Sequence, residues 1–370
     1  MVSPKRVFNF SPGPCCLPLE ILEQAKEDLI SYKGCGMSVM EMSHRNKEFS
    51  EIWTNTTNGI KKLLDVPDSH LIFFFQGGAT LQFSAIPMNF LGAKKKMNYL
   101  TGGHWSEKAK EDAQSLGEVV EAWPNSKPPF TCIPEPKDWV IEKEAAYFHY
   151  CSNETIGGLT QFDFPYEALP ADMTLVSDMS SEFCSRPINV AKYGLIYAGA
   201  QKNAGPAGNT IVIVRKDLIK KENIMKITPA MINYQKILEA PLYMYNTPCC
   251  WAVYMSMLYF DYLNKKGMKF IEDMAILKAK MFYDFVDNSQ GYYQNIIHPK
   301  FRSRMNIPFL VKGGDAACKK FVEEARKFNL LELSGHRSVG GCRASFYNAM
   351  PVEGVANLLV FMKKFMQENP

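Results

Sequence analysis

Two short apolar runs, Met173 to Ser177 and Tyr193 to Ala198, each lead into a residue capable of acid–base chemistry: Asp178 directly after the first, Lys202 just beyond the second. Such runs read as buried strands. In a parallel α/β sheet the carboxyl ends of neighbouring strands open onto one crevice, so the pattern predicts Asp178 and Lys202 facing a common ligand.

A salt bridge at the sheet edge is the plain alternative. The surroundings argue for more. Ala198, Gly199 and Ala200 precede Lys202, and Gly205, Ala207 and Gly208 follow it, which lets a bulky flat ligand approach the backbone. A lysine in a confined site can lose its proton and form a Schiff base. A facing aspartate is what a pyridoxal-phosphate enzyme needs to keep the ring nitrogen protonated, so that the ring accepts electrons from a carbanion.

The rest of the chain continues a β-α rhythm. Apolar patterning predicts helices from Leu17-Pro18 to about Tyr32, over Asn46 to Leu64 and over Ser106 to Leu116. Strands are expected at Leu71 to Phe75, Met97 to Leu100, Glu118 to Ala122, Ala145 to Tyr150 and Thr210 to Arg215. After Leu71 to Phe75 comes Gly77-Gly78-Ala79-Thr80 and a helix through Leu91, without the third glycine of a dinucleotide fingerprint. Its simpler use is to hold one phosphate on the amides of a helix N-terminus. A long helix, Cys249 to Lys265, leads into a second part with helices at Met268 to Asn288 and Asp315 to Phe328 and a strand at Met305 to Val311. That part also carries a strand within Gly335 to Phe346 and an amphipathic final helix.

At 370 residues the chain exceeds a usual single core, and two domains are expected. The net charge of +4 is mild and its densest basic run is Lys94-Lys95-Lys96, which points away from nucleic acid. The uncharged stretches Leu71 to Ala93 and Leu242 to Phe260 are broken by polar residues and proline, so neither reads as a membrane span. Ten cysteines without regular spacing, and no secretory h-region before Pro12, fit reduced thiols in a cytoplasmic protein.

The string Ala200 to Gly208, with Ser177-Asp178-Met179-Ser180-Ser181 upstream, resembles the phosphoserine aminotransferases, class V enzymes of pyridoxal-phosphate fold type I. The likeness continues, in order, in Asn9-Phe10-Ser11-Pro12-Gly13-Pro14, Glu41-Met42-Ser43-His44-Arg45, Tyr245-Asn246-Thr247-Pro248 and Gly335 to Ser345. It implies an α/β large domain with a mostly parallel, doubly wound sheet over 17–262 and a small α+β domain over 263–370. Residues 1–16 are expected to pack with the small domain.

The resemblance further implies transfer of an amino group from glutamate to 3-phosphohydroxypyruvate, giving O-phosphoserine and 2-oxoglutarate. Pyridoxal 5'-phosphate would be carried by Lys202, which also moves the proton at the substrate carbon, with Asp178 beneath the ring nitrogen and Trp105 stacked on the ring. Thr155 would bond the phenolic oxygen. The coenzyme phosphate would be held by Ala79, Thr80, Ser180 and Gln201, and by Asn246 and Thr247 from a second subunit, making the protein a homodimer. Arg343 would grip the substrate carboxylate, and the pairs His44-Arg45 and His336-Arg337 its phosphate, from opposite sides of the dimer interface. No metal is expected. The extra His104 beside Trp105 has no counterpart role. The rival readings are a cysteine desulfurase, with Cys342 as its nucleophile, and a relative that kept the fold and lost the coenzyme.

Overall fold

The computed structural model describes residues 6–124 and 126–370. Along the chain, β1 (Phe8–Asn9) precedes α1 (Leu19–Glu27) and α2 (Lys47–Leu64). Then come β2 (His70–Phe75), α3 (Gly78–Phe90), β3 (Lys96–Leu100), α4 (His104–Gln114), β4 (Glu118–Glu121), β5 (Phe148–Cys151), β6 (Leu175–Asp178), β7 (Leu195–Gly199) and β8 (Thr210–Arg215). The remainder comprises α5 (Tyr234–Glu239), α6 (Cys250–Lys266), α7 (Met268–Asp287), β9 (Tyr293–Gln294), β10 (Asn306–Val311), α8 (Gly314–Lys327), β11 (Leu330–Leu331), β12 (Cys342–Ser345) and α9 (Val352–Glu368).

Among the described residues the largest sheet has the order β2-β8-β7-β6-β5-β3-β4. Only β8 runs against the rest, being antiparallel to both β2 and β7. Apart from the edge strand β4, the sheet is buried on both faces, so strands such as β2, β7 and β8 are near-continuous apolar runs. In β2 all six residues are buried, and they alternate between two cores. Ile72 and Phe74 pack on the side of α2 and α6, while Phe73 and Phe75 pack on the side of α3. Trp53 of α2 meets Phe74 edge-on at 4.7 Å, and Phe83 of α3 meets Tyr197 at 6.2 Å. Each such side chain contributes about 1.5–3 kcal/mol by leaving water.

A second, antiparallel sheet, β12-β10-β9, packs with α7, α8 and α9 around Phe282, Phe309, Phe321 and Phe361. The start of the chain joins this part. Phe8 and Asn9 pair with Leu330 and Leu331, and Phe10 is buried in the same core. The chain then turns toward the large sheet, where Cys15 N donates to Gln201 O at 3.1 Å and Cys15 Sγ to Lys202 O at 2.7 Å. No described helix is long and apolar enough to cross a membrane.

The first helix differs from expectation. It stops at Glu27 rather than near Tyr32, because the Asp28 side chain is drawn away to Tyr254 OH (2.6 Å), Gln24 Nε2 (3.0 Å) and Lys33 N (3.2 Å). The last strand lies within the expected Gly335 to Phe346 and begins at Cys342, since Gly340 and Gly341 adopt positive φ and close a turn in which Gly335 N donates to Gly341 O at 3.1 Å.

Candidate active site

β2, β3, β5, β6 and β7 all point the same way, so the loops after them leave one edge of the sheet together. They surround a cavity of about 290 Å³. Gly78, Ala79 and Thr80 come from the start of α3 after β2, His104 and Trp105 from the start of α4 after β3, and Thr155 from the loop after β5. Asp178 ends β6 and Ser180 follows it, Gln201 and Lys202 follow β7, and the small domain adds His336 and Arg343.

Lys202 and Asp178 are both buried. No ion pair joins them among the described residues. Lys202 Nζ donates instead to Thr155 Oγ1 at 2.8 Å and lies 5.8 Å from the centre of the Trp105 ring. Asp178 Oδ1 accepts from Ser180 N at 2.9 Å. Burial pushes the lysine amine below its usual pKa, against the pull of Asp178. Burial likewise raises the Asp178 carboxyl, against Lys202 and Ser180. Two charges withdrawn from water yet held apart are costly unless something between them completes the pairing.

The walls suit a flat, phosphorylated group. Gly13, at φ +130°, lies so close to Lys202 that a Cβ there would meet its Cγ at 3.1 Å. Helix α3 begins at Gly78 with no side-chain cap, so its first amides have no partner within the helix and can receive an anion. Ser180 Oγ accepts from Gly199 N at 3.1 Å, and its hydroxyl also favours the ionised Asp178 carboxylate. Arg343 Nη1 donates to Thr155 O at 3.2 Å, while its buried Nε has no partner. These orphaned donors fit pyridoxal phosphate and a carboxylate substrate beside it.

Three residues of the site escaped the sequence reading. Glu154 accepts from Trp105 N at 3.0 Å and from Ser106 N at 2.9 Å and Ser106 Oγ at 2.5 Å, fixing the first turn of α4 and the tryptophan it carries. The approach is so close that a Cβ on Gly103 would sit 2.3 Å from Glu154 Cδ. The Gly-Gly before His104-Trp105 was the available signal, but its partner lies 49 residues away in sequence. Behind Asp178, the Tyr197 hydroxyl favours the ionised carboxylate and reaches His149 Nε2 at 2.8 Å. Full burial holds His149 neutral, its pKa lowered to about 3. Nothing in the spacing of His149 and Tyr197 marks them, because they meet only through strand pairing.

Five predicted residues, Arg337 among them, do not line this cavity. His44, Arg45, Asn246 and Thr247 gather elsewhere: Thr247 Oγ1 lies 3.1 Å from His44 Nδ1, and Gln76 Nε2 donates to Thr247 O at 2.9 Å. Arg45, Asn246 and Thr247 are exposed. Arg337 is also exposed, next to His336, which does line the cavity.

The sequence profile described as Aminotransferase class-V matches residues 7–358. A phosphoserine aminotransferase of Nitrosomonas europaea is 46% identical, with 98% of each chain covered. A solved phosphoserine aminotransferase of Bacillus circulans subsp. alkalophilus superposes with a TM-score of 0.94 at 37% identity, covering 99% of both chains. A pyridoxal-phosphate-bound phosphoserine aminotransferase of Trichomonas vaginalis gives 0.92 at 40% identity, covering 97% of this chain and 100% of that one. Ordered motifs, cavity and full-length relatives agree: the chain belongs to the class-V aminotransferase family.

Proposed function

We propose that this chain transfers an amino group between glutamate and 3-phosphohydroxypyruvate, yielding O-phosphoserine and 2-oxoglutarate, as a step of serine biosynthesis. It is a pyridoxal-phosphate-dependent aminotransferase. The observation that carries the reading is the buried, unpaired couple of Lys202 and Asp178 on one cavity.

When bound, the coenzyme supplies an electron sink for the carbanion at the substrate Cα. Lys202 Nζ is the base and acid at that carbon, and its lowered pKa keeps more of the amine neutral near physiological pH. Asp178 offers a negative partner to the ring nitrogen, with Tyr197 and His149 steadying it from behind. Trp105 would cover the ring, and Thr155, already hydrogen-bonded to Lys202 Nζ, would bond its phenolic oxygen. The first turn of α3 at Ala79 and Thr80, with Ser180 and Gln201, would hold the coenzyme phosphate. Arg343 takes the substrate carboxylate through two donors at once.

His336 and Arg337 meet the substrate's phosphate from the small domain. His44 and Arg45 meet it from a second copy of the chain, whose Asn246 and Thr247 complete the coenzyme phosphate site. This homodimer is supported by the exposed apolar residues that share their loops, Met40 at 60% and Tyr245 at 43% exposure. A cytoplasmic location belongs to the same reading, supported by ten free cysteines.

A desulfurase is disfavoured by its required nucleophile. Cys342 is fully buried in β12, and its thiol pKa is raised by the neighbouring Cys318 and by burial, opposite to what nucleophilic attack needs. The deciding experiment is a coupled assay with O-phosphoserine and 2-oxoglutarate. Equal activity on serine and phosphoserine would remove the phosphate assignment.

A further inference from the structure

His104 is a residue that neither the fold nor the reaction above requires. It opens α4 and lines both the coenzyme cavity and a larger one of about 770 Å³ beyond it, so it stands where the first gives onto the second. Its ring packs edge-on against Trp105 at 5.2 Å and faces His336 at 5.6 Å, tilted by 46°. Its ring nitrogens make no hydrogen bond among the described residues. His336 Nδ1 accepts from Ser338 N at 3.2 Å, which leaves its Nε2 as the donor. Two imidazoles at this separation, with donors unspent, can both reach the oxygens of one tetrahedral anion, each bond spanning about 2.8 Å.

We propose that His104 is a second imidazole gripping the distal phosphate of the substrate, opposite His336, and that it sharpens the choice of phosphorylated over unphosphorylated amino acids. This rests on the phosphorylated-substrate reading above. The charged groups that bear on the pair are Lys108 and Glu111 on α4, Arg337 in the loop after β11 and Arg343 on β12. Burial and this cationic company hold both imidazoles below their usual pKa, which favours their neutral forms. A phosphate dianion reverses the balance and draws a proton onto the pair. Affinity is then greatest where the bound imidazoles are charged, and is lost as pH rises through their bound-state pKa.

The test uses the coenzyme-loaded protein with His104→Phe, which keeps ring packing against Trp105, and His104→Gln, which keeps a donor that does not titrate. In His104→Phe the KM for O-phosphoserine should rise about tenfold with kcat and the KM for glutamate unchanged, the size of one lost charge-assisted bond. His104→Gln should restore much of the affinity at pH 7.5 while flattening its dependence on pH between 6.5 and 8.5. Calorimetry of inorganic phosphate binding, in two buffers of different ionisation enthalpy, should show smaller proton uptake in both variants. If both keep wild-type KM and proton uptake while His336→Phe raises the KM, His104 has no such role and the phosphate reading stands. Equal use of serine and phosphoserine by the wild type would overturn both ideas together.

Discussion

Lys202 and Arg45 are two cations in motifs of equal prominence, and the fold treats them in opposite ways. Lys202 is buried on a cavity whose walls come from five sheet loops and the small domain of its own chain. Arg45 is exposed, in a cluster with His44, Asn246 and Thr247 that does not line that cavity. One group is finished by intramolecular packing and the other is left open among exposed apolar residues. The contrast supports the proposal that His44, Arg45, Asn246 and Thr247 serve a second copy's cavity, while the residues around Lys202 are gathered within one chain.

The sharpest way to break this contrast is at its buried pole. Lys202→Ala should lower transamination by about 10³-fold or more, since proton transfer at Cα loses its positioned base. The visible band of covalently held coenzyme should vanish while apparent size by gel filtration stays unchanged. Substantial turnover by this variant would dissolve the proposed chemistry. Asp178→Asn comes next. It should cost about 10²-fold in kcat by removing the charge that favours a protonated ring nitrogen, with coenzyme binding largely retained.

The exposed pole is tested by mixing. Arg45→Ala should raise the KM for O-phosphoserine by about 10- to 30-fold and leave the absorbance of bound coenzyme intact. Co-expressed with Lys202→Ala, it should do something neither variant does alone. If Arg45 serves the partner's cavity, each mixed dimer contains one site with both residues intact, and a random mixture regains about a quarter of wild-type activity. Activity no greater than the average of the two parents would place Arg45 in its own chain's site and undo the shared-site proposal.

What was legible in the sequence follows the same division. Asp178 and Lys202 were readable because strand ends in a parallel sheet deliver residues to a known edge, and the apolar runs of β2, β6, β7 and β8 announce themselves. Trp105, Thr155 and Arg343 came through motif resemblance and fall on the cavity. Glu154, His149 and Tyr197 were not readable, because their partners are set by strand register and loop crossing rather than by local spacing. The pairing of β1 with β11 was hidden for a related reason. Two residues on each side carry no periodicity, and their contact spans almost the whole chain.

Glu154 offers the finest test of how firmly the buried pole is held, because it positions Trp105 without facing the ligand. Its carboxylate takes three donors from α4 yet sits in full burial, which raises its pKa above the usual carboxylate value despite those bonds. In Glu154→Gln one oxygen becomes an amide nitrogen that cannot accept. One of the three donors is left without an acceptor, at a cost of about 1–3 kcal/mol. A raised acid pKa stabilises the fold fully below the unfolded value, and that contribution is lost as pH climbs through the folded one. The wild type's advantage in Tm should therefore be largest at acid pH and shrink between the ordinary carboxylate pKa and the raised one, since glutamine does not titrate. Coenzyme affinity should fall only a few-fold, with kcat nearly unchanged, as expected when Trp105 loses a support and keeps its place. A Tm difference constant from pH 4 to 8 would mean that Glu154 ionises as it does in water, and that the start of α4 is held by something other than its charge.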